Sequence, residues 1–116
     1  MAVVGLRAFF QIVEKWGVHT EQEHLKLLGE PGQTTYAGWK HGQVQNVSHD
    51  TMERLGYIVG IFKALQILYS DSRLADAWIR QPNQYFNGQS ALQHMLGGRV
   101  TDLADVRRLL DAVRGG

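Results

Sequence analysis

The sequence contains no cysteine, which excludes a disulfide framework and any thiolate-bound metal. Proline is nearly absent: only Pro31 and Pro82 interrupt the chain, so uninterrupted helices are permitted over most of its length. An excess of either charge is missing too. Twelve Lys and Arg stand against eleven Asp and Glu, a net charge of +1 over 116 residues. That excludes a strongly basic nucleic-acid coat and leaves room only for a localised DNA contact. The longest apolar stretch, 55–69, is broken by Lys63 and Gln66 and is too short to span a bilayer. The opening Met1-Ala2-Val3-Val4-Gly5-Leu6 is interrupted by Arg7 with no small-residue cleavage site behind it. The expectation is therefore a cytoplasmic chain without a signal peptide.

Hydrophobic residues make up 44% of the chain, enough for a buried core. They do not alternate with period two anywhere for long, and no Asn-Gly pair joins two β-rich runs, so the chain reads as all-α, a small helical bundle. Leu6, Phe9, Phe10, Val13 and Trp16 make a helical stripe over 2–16. Thr20 and Glu23 form a capping box that opens a short helix ending at Gly29. Thr34 is expected to cap a second short helix ending near Gly42, and Ser48 the longest helix, 48–69. That helix is apolar on more than one face, which marks it as the central one. Gly56 and Gly60, four apart, would let a neighbour approach it closely. A further helix over 72–80 stops before Pro82. A loop spans 81–89, a short helix 90–96, and a last helix 101–114 buries Leu103, Val106, Leu110 and Val113.

Two regions offer binding surfaces. The short helices between Thr20 and Gly42, joined by a Pro- and Gly-containing turn, have helix-turn-helix geometry. Trp39 is its expected core anchor, and Thr34, Thr35, Tyr36 and Lys40 would face a DNA groove. Short helix pairs are also common scaffolding. Residues 1–47 carry Arg7, Lys15, Lys26 and Lys40 against Glu14, Glu21, Glu23 and Glu30, so no net positive field supports the DNA reading. In the second region Trp78, Tyr85 and Phe86 surround the polar Gln81-Pro82-Asn83. Large aromatics are mostly buried, so Trp78 and Phe86 are expected in the core, leaving the loop for contact.

Catalysis finds no support. The five histidines contain no His-x-x-x-His pair, there is no Gly-x-Ser-x-Gly and no phosphate-cradling glycine loop, and Asp102, Asp105 and Asp111 read as helix-surface acids. No metal, no cofactor and no enzymatic activity is expected.

The runs Leu27-Leu28-Gly29, Thr35-Tyr36-Ala37-Gly38-Trp39-Lys40-His41-Gly42 and Glu53-Arg54-Leu55 resemble the N-terminal part of the Xre/MbcA/ParS antitoxins, a divergent Xre-type helix-turn-helix followed by a long helix. Trp78-Ile79-Arg80-Gln81-Pro82-Asn83-Gln84-Tyr85-Phe86-Asn87-Gly88 is similar to the start of that family's toxin-binding domain. The end, Leu109-Leu110-Asp111 through Gly115-Gly116, is similar to its closing helix. The resemblance implies a helix-turn-helix domain at 1–69 and a toxin-binding domain at 70–116. It further implies a RES-domain, NAD-destroying toxin as partner, a homodimer, a hetero-oligomeric complex with the toxin, and repression of its own operon. Carried over, toxin contact falls to Arg107, Arg108, Arg114, Gly115 and Gly116, with Trp78, Pro82, Asn83, Phe86 and Gly88 shaping the domain. The sequence departs from the family at the recognition helix, where Lys40 is the one firm base and Ala37-Gly38 replace larger residues. A stand-alone helix-turn-helix regulator with a C-terminal dimerisation domain is the competing reading.

Overall fold

Seven α-helices carry the fold of the computed structural model, which describes residues 2–115. They are α1 (Ala2–Lys15), α2 (Glu21–Leu28), α3 (Gln33–Lys40), α4 (His49–Leu68), α5 (Ser72–Trp78), α6 (Ala91–Met95) and α7 (Val100–Gly115). A single 3-10 turn lies at Gln84–Phe86, and no strand occurs among the described residues. Helix α4 packs against α1, α2, α5 and α7, the central place that its all-round apolar surface requires. One hydrophobic cluster runs from Leu6 and Phe9 of α1 through Ile58, Ile61 and Leu65 of α4 to Leu103 and Leu110 of α7. Among the described residues no helix is long and apolar enough to cross a membrane.

Local caps set most of the helix starts. The Thr20 hydroxyl accepts from the Glu23 backbone N–H at 3.2 Å, as a cap should, but Glu23 does not reach back to the Thr20 amide. Its carboxylate accepts from the same hydroxyl at 2.7 Å. The full reciprocal box lies instead at Ser90 and Gln93, where both halves are made. Thr34 caps nothing: α3 begins at Gln33 behind Gly32, with no side-chain cap. Ser48 does cap α4, accepting from the Thr51 N–H at 3.0 Å.

The C-terminal end of α2 is closed by α4. Gly29 adopts φ +91°, and the Thr51 hydroxyl donates to the Leu28 carbonyl at 2.8 Å. Arg54, buried, donates to the Lys26 carbonyl at 3.1 Å and to the Asp50 carboxylate at 2.9 Å. Carbonyls that a helix end leaves orphaned are thus satisfied by side chains of the next long helix. Arg80 does the same for α1, donating from Nε to the Trp16 carbonyl at 2.7 Å and from Nη2 to that of Gly17.

Two packing expectations change. Helix α5 stops at Trp78, two residues before Arg80, and Trp78 is only half-buried, whereas Phe86 is in the core. Helix α7 buries Leu103, Val106 and Leu110 but leaves Val113 58% exposed. The helix outruns the bundle by more than a turn after Leu110, so nothing remains for Val113 to pack against.

Candidate functional site

The helix pair α2–α3 is held by a buried histidine. The Val18 carbonyl can only accept, so His24 Nε2 donates to it at 2.7 Å, and in the neutral ring Nδ1 then accepts from the Tyr36 hydroxyl, also at 2.7 Å. Phe9, Phe10, His24 and Tyr36 meet edge to face or tilted around this pair. Burial, and then the negative charge of Glu21, push the Tyr36 phenol pKa above its ordinary value. Tyr36 is 1% exposed, so it is not available to a DNA groove: on a one-faced short helix, the aromatic three residues before Trp39 falls on the buried side with it.

Thr34, Thr35 and Lys40 are exposed, as expected. The structure splits them. Thr34 and Thr35 border a polar cleft of about 490 Å³ with Gln43, Gln45 and Asn46. Lys40 borders a cleft of about 460 Å³ between α3 and α1, together with Arg7, Gln11 and Glu14. Arg7 is a cation that the sequence reading missed, because only tertiary packing sets α1 beside the end of α3.

In the C-terminal part the loop 81–89 is built rather than loose. Asn83 Oδ1 accepts from the Tyr85 N–H at 2.9 Å, the Asn83 carbonyl accepts from Gly88 at 2.9 Å, and Asn83 donates to the Gln89 carbonyl at 3.1 Å. Asn87 and Gly88 both take positive φ, +57° and +89°, conformations that Asn and Gly tolerate best. A single antiparallel bridge joins Pro82 to Ser90. Phe86 stacks on His94 at 4.5 Å between centroids. Asn83, Phe86 and Gly88 therefore shape the loop, while Pro82 and Tyr85 are left on its surface.

His94 in turn joins α6 to α7. Its Nε2 lies 2.8 Å from Asp105 and 3.8 Å from Asp102. Asp102 is no surface acid: it is 2% exposed and accepts from the Arg99 backbone at 3.1 Å and from its guanidinium at 3.1 Å. That bond holds the Arg99 pKa above its ordinary value. One ligand atom each from His94, Asp102 and Asp105 lies within 4.8 Å of the others, a convergence that no local spacing announced. Arg99 and Arg108 already bond these carboxylates, so the group works as an ion network clamping two helices.

The arginines expected to face a partner are differently placed. Arg107 lies half-buried over Gly60 of α4 and donates to Asp111 at 3.0 Å. Arg108 is exposed and donates to Asp105 at 3.4 Å. Arg114 and Gly115 are exposed, but Gly115 still belongs to α7, so it is a helix end and not a thin tail. Gly116 lies outside the described residues.

The fold is an all-helical bundle whose C-terminal part is a helix–loop–helix–helix unit with one helix end and one loop on its surface. Comparison with known proteins gives the family. Residues 64–116 match the Antitoxin Xre/MbcA/ParS C-terminal toxin-binding domain. The chain is also 48% identical over 111 residues to Uncharacterized protein y4oB of Sinorhizobium fredii (strain NBRC 101917 / NGR234), covering 96% of this chain and 84% of that one. No solved structure matches. The C-terminal part of the chain, residues 64–116, is thus a toxin-binding domain of the Xre/MbcA/ParS antitoxins. The match begins at Ala64, within the last turns of α4.

Proposed function

We propose that this chain is the antitoxin of a two-component toxin–antitoxin system and silences a RES-domain, NAD-degrading toxin by direct contact, as a binding protein and not an enzyme. One observation carries the reading: the matched toxin-binding domain coincides with a module whose loop and terminal helix are braced internally by Asn83 and by the His94–Asp102–Asp105 network. A preorganised surface loses little entropy on binding.

The contact surface in this reading is the exposed end of α7, with Val113, Arg114 and Gly115, flanked by the loop surface at Pro82 and Tyr85. Arg107 and Arg108, paired within α7, set the helix surface behind it.

Co-expression with a RES-domain toxin, sought among the genes neighbouring this one, tests the proposal. The full chain should co-purify with the toxin and keep cellular NAD at its normal level. Deleting Arg114–Gly116 removes only residues beyond the last buried side chain, Leu110, so the variant should stay helical but lose protection. Full protection by the folded deletion variant would move the inhibitory surface to 81–89. Failure of the full chain to bind or protect would overturn the antitoxin reading itself. Operator binding through the exposed Thr34, Thr35 and Lys40 is the secondary role within this reading.

A further inference from the structure

One face of α1 looks onto the end of α3. Val3, Arg7, Phe10 and Glu14 follow one another at spacings of three and four, so they share that face. Across from them stand Trp39 and Lys40, the last two residues of α3, and Val44, which follows the turn at Gly42, where φ is +84°. The cleft of about 460 Å³ that these residues border has two kinds of wall. Its floor is apolar: Leu6 is 1% exposed, Trp39 is 4% exposed, and Phe10 and Val44 are partly buried. Its rim is polar. Arg7, Gln11 and Lys40 are exposed there, and among the described residues none of the three makes a salt bridge or a side-chain hydrogen bond. Glu14, the acid on the rim, pairs with His19 at 3.4 Å.

A second, independent observation lies in the floor. The Trp39 indole N–H is buried and meets no acceptor, a costly state that a water or a ligand acceptor would relieve. We propose that this cleft binds a small organic acid, its carboxylate held by Arg7 and Lys40 and its apolar body lying on Leu6, Phe10 and Val44. Size and charge select this class. The volume falls in the range of small-molecule sites. Two cations against one acid leave a single positive charge at the rim, which one carboxylate balances and a phosphate dianion overshoots. The polar cleft at Thr34 and Gln43, which Trp39 also borders, is lined by no charged side chain, so only the α1 side selects an anion. A DNA backbone would use the same two cations but leave the apolar floor empty. A bound acid therefore occupies cations that DNA needs and releases the operator, a step that rests on the operator reading above.

Nuclear magnetic resonance of the isotope-labelled full chain tests the site through the indole N–H signals, that of Trp39 being the one that Trp39→Phe removes. The probes are naphthylacetate and octanoate, each beside its neutral amide. At least one acid should move the Trp39 signal saturably, and its amide should bind about tenfold or more weakly, as loss of a charge-assisted contact requires. Arg7→Ala and Lys40→Ala, both at exposed positions, should each weaken the acid by a similar factor and leave the amide unchanged. In filter binding the same acid should lower the operator affinity of the wild type, and lower it less in either variant. A Trp39 signal that moves with neither acid overturns the proposal. So does equal affinity for acid and amide, or an acid titration that both alanine variants leave unchanged. Saturable acid binding with unchanged affinity for an operator that the chain does bind overturns the release step. A chain that binds the acid as expected but no operator overturns the operator reading and supports the site.

Discussion

Arg107 of α7 lies in the space that Gly60 of α4 leaves by having no side chain. The guanidinium occupies the position a Cβ would take, and Asp111, one turn on, accepts its Nε–H. The glycine thus lets the C-terminal helix approach the central one with an arginine, and not an aliphatic residue, at the crossing.

Gly60→Ala is expected to expel Arg107 into solvent without unfolding the chain. The group displaced is the far end of a flexible side chain, and alanine gains about 0.8–1 kcal/mol of helix propensity over glycine. Thermal melting should show a midpoint equal to or above the wild type. Arg107→Ala in the wild-type background, which leaves a gap over Gly60, should melt lower than Gly60→Ala. The reverse order would mean that the guanidinium is not what fills this space.

Tyr36→Phe should cost about 1–3 kcal/mol, because it leaves the buried His24 Nδ1 without its donor. The wild type should also lose stability at high pH through this residue. Its phenol pKa is raised in the folded state, chiefly by burial, so the folded chain holds that proton more tightly than the unfolded one. The contribution is fully present below the unfolded value near 10 and is lost as pH rises through the folded one. Urea titrations between pH 8 and 11 should show the alkaline loss shallower in Tyr36→Phe than in the wild type. Equal slopes would refute the buried-phenol account.

If α3 reads the operator, Lys40→Ala should weaken binding and reduce the slope of log affinity against log salt by roughly one phosphate contact. Arg7→Ala should do the same if the cleft shared by Arg7 and Lys40 follows the DNA backbone. Tyr36→Phe, buried, should leave the salt slope unchanged. Filter binding at several salt concentrations checks all three, and an unchanged slope for Lys40→Ala would remove α3 from the DNA surface.

Much of the secondary structure was legible from neighbours a few residues apart. Ser48 capping α4, Gly29 ending α2 and the all-round apolar character of α4 are signals within one or two turns. Ser90-Ala91-Leu92-Gln93 carried an equally local capping signal that the sequence reading passed over. Thr34 failed as a cap because Gly32 and the preceding turn allow α3 to start two residues earlier. Tyr36 went wrong for a different reason. A hydroxyl-bearing aromatic suits both a groove and a core, and only His24, twelve residues away, decides which.

The sequence by itself determined most of the helices and their order, because periodicity, caps and turn residues act within three or four positions along the chain. Only the tertiary structure decided which side chains are available to a partner. Arg80 reaching carbonyls more than sixty residues away, Arg107 settling over Gly60, and His94 drawing Asp102 and Asp105 together depend on helix placement. Burial and pairing are properties of what lies opposite a residue, and no local pattern states what that will be.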